Sequence, residues 1–151
     1  EPTAEALRQG QKIYWAFVRG QFPHDDTITV ETPIKGKTAK SFIRCLGRGP
    51  EPRCSLLEVQ PQTGRNHQVR RHVRDLHHPI LHDGDHGDSR VNRWWRENMG
   101  LSRLALHAGV VSISIDGQPM TIRSPLAVDL CTVFEQMDWW PSVSTILLQT
   151  T

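Results

Sequence analysis

Apolar residues occupy alternating positions, or both faces, in several short segments typical of β-strands. From Lys12 to Arg19 both alternating faces carry apolar side chains, which predicts an interior strand. Further strands are predicted at residues 27–31, 41–46, 54–59, 104–115 and 120–123. A Gly- and Pro-rich connection at 47–52 would join two of them as a hairpin. Asp116-Gly117 is a strong signal for a tight turn between the last two.

Helical spacing of apolar residues distinguishes other segments. Val69, Val73 and Leu76 fall on one helix face, and Pro79 should end that helix near Leu76 or His77. Further helices are predicted at residues 3–8, 92–98 and 129–140, whereas the tail beyond has no strong pattern. We therefore predict a single α+β domain over residues 1–151, with helices flanking a mostly antiparallel or mixed sheet.

Composition fits a folded globular protein but does not identify its partner. Hydrophobic residues make up 37% of the chain, and the net charge of +2 is too small to indicate nucleic-acid binding by itself. Four arginines nevertheless fall between Arg65 and Arg74, mostly on the helix face opposite Val69. Arginine binds phosphate through two parallel hydrogen bonds, yet such a basic face is as often simply solvated, so both interpretations remain open.

Other chemistries find little support in the sequence. The three cysteines form no Cys-x-x-Cys pair, which disfavours a disulfide framework and a cysteine zinc site and favours a reducing, cytosolic setting. No apolar run approaches the roughly 20 residues that span a bilayer. Residues 83–88 resemble a calcium loop but lack its bidentate glutamate, so a polar turn whose aspartates cap backbone amides is predicted instead. No Gly-x-Ser-x-Gly elbow indicates a serine nucleophile.

Several motifs in sequence order carry a resemblance to one enzyme family. The stretch 63–70, Thr-Gly-Arg-Asn-His-Gln-Val-Arg, followed by His-Pro-Ile-Leu-His-Asp at 78–83, resembles the Thr-Gly-Arg-x-His-Gln-[Ile/Leu]-Arg…His-Pro-Ile…Gly-Asp signature of RluA-type pseudouridine synthases. Residues 12–20 are similar to the family's Lys-x-Tyr-x-Ala-x-Val-x-Gly strand, and 103–108 to its Arg-Leu-x-Leu-His-Ala strand. Ser124-Pro125-Leu126 resembles a later Ala-Pro-Leu, and His86-Gly87-Asp88 is similar to the His-Gly-Asp of a subgroup that acts on tRNA. His82 stands where the family usually has Gly.

The resemblance implies an isomerase that converts uridine to pseudouridine in RNA, here tRNA, without a metal or nucleotide cofactor. It implies that Arg70 pairs with a nucleophilic aspartate, and that Tyr14 stacks on the flipped base and takes a sugar proton. The same motifs supply the residues expected to contact RNA, which are Lys12, Arg65, His67 and Arg71.

The family's nucleophilic aspartate lies in a His-Arg-Leu-Asp motif upstream of the Lys-x-Tyr strand. Residues 1–11 contain no such motif. We therefore expect this chain to be the C-terminal portion of a pseudouridine synthase catalytic domain, which would need the N-terminal part of the same enzyme and be inactive alone. A non-catalytic RNA-binding module is the alternative, and a metal-dependent hydrolase is a more distant one.

Overall fold

The computed structural model describes residues 11–148, and within them one six-stranded sheet is accompanied by four helices. The strands are β1 (Lys12–Arg19), β2 (Ile28–Val30), β3 (Ser41–Pro50), β4 (Arg53–Pro61), β5 (Leu106–Ile115) and β6 (Gln118–Arg123). The helices are α1 (Gln68–Asp75), α2 (Ser89–Met99), α3 (Val128–Phe134) and α4 (Trp140–Leu148). Neighbouring strands pair antiparallel in the order β2-β3-β4-β1-β5-β6. The predicted α+β class is confirmed, and the helix predicted at 3–8 lies outside the described residues.

The strand β1 lies inside the sheet, as its two apolar faces predicted. Residues 15–18 are at most 4% exposed, and the ring of Phe17 stacks on Phe134 of α3 with centroids 3.8 Å apart. The chain that follows α1 is also held against β1, because the N–H of Leu81 donates to the carbonyl of Phe17 at 2.9 Å. This bond and the bridge between Val18 and Ile80 place the turn at 82–88 beside the sheet.

The hairpin of β3 and β4 is confirmed, but the loop predicted at 47–52 was wrong. Both strands are longer than predicted, so only a tight turn at 51–52 remains between them. Gly47 and Gly49 lie within β3 because Trp139 packs against the strand there. A Cβ added at these positions would lie 2.7 Å and 2.9 Å from the indole. The glycines therefore mark the close approach of a side chain instead of a loop.

The C-terminal prediction was also wrong, because the helix expected at 129–140 is interrupted at residues 135–139. The tail that showed no strong pattern forms α4. Pro141 occupies the first turn of α4, where a helix needs no donor from it. Trp140, Val143 and Leu147 are buried at 7%, 2% and 0% exposure, so they form the packed face of α4.

The other two helices follow the predicted patterns. In α1, Val69 and Val73 are 6% and 0% exposed, and the helix ends at Asp75, close to the predicted end. The helix α2 begins three residues before its predicted start, because the carboxylate of Asp88 accepts hydrogen bonds from the N–H groups of Arg90 and Val91. No helix in the described part of the chain is both long and apolar enough to span a membrane.

Candidate active site

A cavity of about 550 Å³ opens where the start of β1, the end of β4 and the first turn of α1 meet. Five of the six residues predicted for the site line this cavity, namely Lys12, Tyr14, Arg65, His67 and Arg70. Arg71 does not line it, and its Nε is buried without a hydrogen-bond partner among the described residues. The fold therefore brings two distant segments of the sequence together in one cavity, which we call the β1–α1 cavity.

Tyr14 lies at an irregularity of its strand. It pairs with Val59 on β4 and with Ala108 on β5, and the register between β1 and β5 shifts between Ile13 and Tyr14. Bulges of this kind re-aim a side chain and are common beside active sites. Here the half-buried ring of Tyr14 forms part of the cavity wall.

The turn before α1 is held by Gln68, a residue that the sequence motifs did not single out for a role. Its side chain is buried, and its Oε1 accepts hydrogen bonds from the Thr63 hydroxyl at 2.7 Å and the Arg65 N–H at 3.1 Å. Its Nε2 donates to the Lys40 carbonyl at 2.8 Å and to the Ser41 hydroxyl at 2.9 Å. A glutamine on a buried helix face must satisfy both ends of its amide, and Gln68 does so by tying the turn to β3.

Arg70 is held by a buried carboxylate. Its Nε and Nη2 donate to the two oxygens of Asp83 at 2.9 Å and 2.7 Å, and Nη2 also lies 3.2 Å from Asp85. The side chain of Asp83 is 0% exposed and also accepts from the N–H groups of Asp85 at 3.0 Å and His86 at 2.9 Å. The predicted polar turn is therefore confirmed, but its ion pair with Arg70 was not predicted.

The environment of this pair keeps both groups charged. Burial alone would raise the pKa of Asp83, but hydrogen bonds from Arg70 and from the His86 N–H outweigh it and hold the pKa below its usual range. The hydrogen bond to Asp83 in turn raises the pKa of Arg70. Within the described residues, Nη1 of Arg70 has no hydrogen-bond partner, and it is not buried. With respect to residues 11–148, this nitrogen is therefore available to a second anion.

A hydrogen-bonded chain of three side chains reaches the same cavity. Nη1 of Arg74 lies 3.1 Å from Nδ1 of His86, and Nε2 of His86 lies 3.1 Å from Nδ1 of His67. Arginine can only donate, so a neutral His86 accepts at Nδ1 and carries its proton on Nε2. A neutral His67 then accepts at Nδ1 and carries its proton on Nε2, and its ring lines the cavity.

The surroundings of His86 predict that its pKa is lowered. Burial, and then the charges of Arg71, Arg74 and Arg70, lower its pKa, although Asp83 opposes them. The unfolded chain binds this proton at a higher pH than the folded chain, so the contribution of His86 to stability falls as the pH drops through the ordinary histidine value. NMR titration should therefore give His86 a pKa below that value.

The replacement Arg74→Gln should raise the pKa of His86 toward its ordinary value, because a protonated His86 would no longer face a second donor with a positive charge. Arg96→Gln, which removes an exposed charge on α2, serves as the control and should leave the titration unchanged. An unchanged titration in Arg74→Gln would show that the charge of Arg74 does not lower the pKa of His86.

Two histidines near the site have positive φ values, and the sequence could predict only one of them. His67 adopts a left-handed conformation with φ of 52° at the start of α1, and His82 does so with φ of 65° in the turn that carries Asp83. The second could be anticipated, since the resembled family usually has Gly at that position. The ion pair of Asp83 had a weaker signal, which is a carboxylate two residues after the apolar pair Ile80-Leu81. Such a buried position demands a cation.

Among residues 11–148, no three His, Cys, Asp or Glu side chains are grouped to hold a metal ion.

Comparisons with known proteins identify relatives of this chain. The family model described as RNA pseudouridylate synthase matches residues 4–75, which include β1 and α1. The tRNA pseudouridine synthase C of Pectobacterium carotovorum subsp. carotovorum is 42% identical over 87% of this chain and 42% of its own length. The protein of the same name from Vibrio cholerae serotype O1 is 38% identical over 91% of this chain and 67% of its own length.

A solved structure shares the fold. Human RNA Pseudouridylate Synthase Domain Containing 1 superposes with a TM-score of 0.65 over 84% of this chain and 59% of that protein, at 24% identity. This chain spans less than half of the Pectobacterium relative, so the relatives' full activity is not carried over with the likeness. The extent and identity of the Vibrio match, together with the family model, nevertheless settle the family. The chain belongs to the RNA pseudouridylate synthase family.

Proposed function

We propose that this chain forms part of a longer enzyme that isomerises uridine to pseudouridine in tRNA. The observation that carries the proposal is the β1–α1 cavity, in which Tyr14 and Arg70 lie among the basic residues Lys12 and Arg65. Its volume of about 550 Å³ lies within the range of sites for small organic molecules. Curated relatives named for tRNA modification favour tRNA as the substrate, and the cytoplasm is the setting where such an enzyme would act.

The reaction detaches uracil from its ribose, turns it and rejoins it through carbon. The uridine must first leave the base stack and enter a pocket, where an aromatic ring can stack on it. Tyr14 is the aromatic residue placed for this role, and its phenol is a candidate for taking the sugar proton. No metal or nucleotide cofactor is part of the proposed reaction.

Arg70 would position the nucleophilic aspartate through its free Nη1. Its Nε and Nη2 are fixed by Asp83, so the guanidinium is oriented before any second carboxylate arrives. Asp83 does not itself act as the nucleophile, because its side chain is fully buried and both oxygens accept hydrogen bonds. A nucleophile from another segment, carrying His-Arg-Leu-Asp, completes the site in this proposal.

The basic residues around the cavity would contact the RNA backbone. Nε of Arg65 donates to the Thr38 carbonyl at 2.6 Å, which orients its guanidinium at the rim. Lys12 is exposed, and His67 presents the Nε2 proton assigned above. Arg71 lies away from the cavity lining and is the weakest of the predicted RNA contacts.

The proposal predicts that joining the chain to a segment of a curated relative that contains His-Arg-Leu-Asp yields an active enzyme. Pseudouridine in tRNA would be measured by nucleoside chromatography after digestion. Tyr14→Phe should abolish product formation, whereas Arg123→Gln, an exposed residue of β6, should leave it unchanged. Full activity in Tyr14→Phe would remove the phenol from the mechanism, and no product from the unmodified fusion would count against the isomerase.

A non-catalytic RNA-binding module remains the second candidate. It is favoured by the ion pairs of Arg70, since its charge is already shared with Asp83 and Asp85. This candidate predicts salt-dependent binding of RNA by the fusion without any pseudouridine.

A further inference from the structure

A second cavity of about 660 Å³ lies at the opposite end of β1 from Tyr14. Its walls come from the end of β1, the β3–β4 turn and the helix α2, and they include Arg19, Arg53, His77 and Trp94. The β1–α1 cavity and the mechanism proposed for it use none of these residues. We call this second surface the α2 cleft.

An exposed indole forms one wall of the α2 cleft. Trp94 is 42% exposed, whereas the adjacent Trp95 is 1% exposed and packs 5.5 Å from Phe134 in the core. The two indoles meet edge to face with centroids 5.7 Å apart, so the buried ring supports the exposed one. The cap by Asp88 fixes where α2 begins and therefore which face Trp94 presents.

Two arginines lie near this indole along α2, and a third faces the cleft from β4, where Glu51 also lines the wall. Arg90 lies one helical turn before Trp94 on the same face, and Arg93 lies directly beside it in sequence. Arg53 extends from β4 on the other wall. None of these three arginines forms an ion pair among the described residues. Since the whole chain carries a net charge of only +2, this concentration of unpaired arginines is a local feature.

We propose that the α2 cleft binds a second segment of the substrate RNA, with a base stacked on Trp94 and phosphates on Arg53 and Arg90. The inference rests on the proposed function, which makes RNA the substrate. An exposed aromatic ring beside unpaired cations is the combination that single-stranded nucleic acid requires, whereas an acidic protein would need the charges alone. The cleft therefore reads an RNA segment outside the modified uridine.

The spacing of the two cavities sets the length of RNA that engages both. Five strand residues separate Tyr14 from Arg19, which corresponds to about 17 Å at roughly 3.4 Å per residue. Stacked nucleotides rise by about 3.4 Å each, so the RNA must extend about five nucleotides from the uridine to reach the cleft. A trinucleotide centred on the uridine is too short to do so.

The test compares two RNAs on the chain as it exists. The first is a stem-loop of about 17 nucleotides with a uridine in its loop. The second is a uridine trinucleotide, whose binding at low salt is monitored by NMR chemical shifts. Trp94→Ala should weaken stem-loop binding about fivefold or more and leave the trinucleotide shifts unchanged. Trp94→Phe should restore most of the affinity, because it keeps an aromatic face. Arg53→Gln should reduce the salt dependence of stem-loop binding by about one unit of slope, whereas replacing the exposed Arg123 of edge strand β6 by glutamine should not.

Each result decides the proposal. An affinity for the stem-loop within twofold of the unmodified chain in Trp94→Ala would overturn it, as would an indole signal of Trp94 that does not move at saturation. Competition by polyglutamate as effective as that by the stem-loop would overturn the assignment to RNA in favour of an acidic protein. Stem-loop binding through Trp94 without any trinucleotide shift would support the cleft and count against the uridine site. Failure of both RNAs to bind would overturn both proposals.

Discussion

Replacing Arg70 by alanine is expected to lower the free energy of unfolding by about 3–5 kcal/mol. The change leaves the carboxylate of Asp83, which is 0% exposed, buried without its cation. The two backbone N–H groups that also bind Asp83 do not neutralise its charge. Urea unfolding at pH 7 measures the effect directly.

A control on the same helix separates the loss of a buried ion pair from the loss of an exposed one. Arg74 pairs with Asp75 at 3.0 Å, but both side chains are substantially exposed, so Arg74→Ala should cost at most about 1 kcal/mol. The folded-state pKa of Asp83 is depressed, so its contribution is present above the unfolded pKa of about 3.9 and disappears as the pH falls through the folded pKa. The difference between the two variants should therefore shrink in acid. Equal losses at pH 7 would contradict the buried pair.

The second large effect is expected from Gly87→Ala. A Cβ at residue 87 would overlap the carbonyl oxygen of Asp83, which is a backbone atom and cannot rotate away as the end of a side chain can. Asn92 also donates to this carbonyl at 3.0 Å, and the turn carries the carboxylate that holds Arg70. We expect a loss of about 1–3 kcal/mol from the steric conflict.

Gly84→Ala is the matched control in the same turn. No atom lies within 4 Å of a Cβ added at Gly84, and its backbone lies outside the region that favours glycine. Its effect on unfolding should stay within about 0.5 kcal/mol. If Gly84→Ala were as costly as Gly87→Ala, the loss would come from the backbone freedom of the turn and not from the contact with Asp83.

Local patterns predicted the parts of the fold whose side chains have a plain burial preference. The two apolar faces of residues 12–19 indicated a strand inside the sheet, and the spacing of Val69 and Val73 gave the buried face of α1. Asp116-Gly117 predicted the turn between β5 and β6, where both residues adopt positive φ values of 52° and 77°. In each case the residues of one short segment are enough to explain the structure that the segment adopts.

The remaining errors come from contacts between distant segments. Gly47 and Gly49 indicated a loop because nothing nearby in sequence reveals that Trp139 packs on them. The helix α4 was not predicted because the tail beyond residue 140 has no strong pattern, and its buried face is defined only by packing against the rest of the fold. Tertiary packing decided both cases.

The candidate site shows the same division. Motifs predicted five residues that line one cavity, because each motif includes the local turn or strand that presents its side chain. They did not predict that Asp83 holds Arg70, or that His86 and Arg74 fix the proton of His67. Those contacts join the α1 region to a turn more than ten residues later, so the spacing of residues within a short segment does not predict them.

In the proposed enzyme, the β1–α1 cavity holds the uridine and Arg70 is the cation that positions the nucleophilic aspartate. The most direct test is the single-turnover rate of pseudouridine formation by the fused enzyme carrying Arg70→Lys, at a temperature where the protein remains folded. Lysine keeps the charge but cannot hold Asp83 and a second carboxylate in one planar fork. We expect the rate to fall by about 10²- to 10³-fold with little change in RNA affinity. A rate within threefold of the unmodified fusion would contradict the claim.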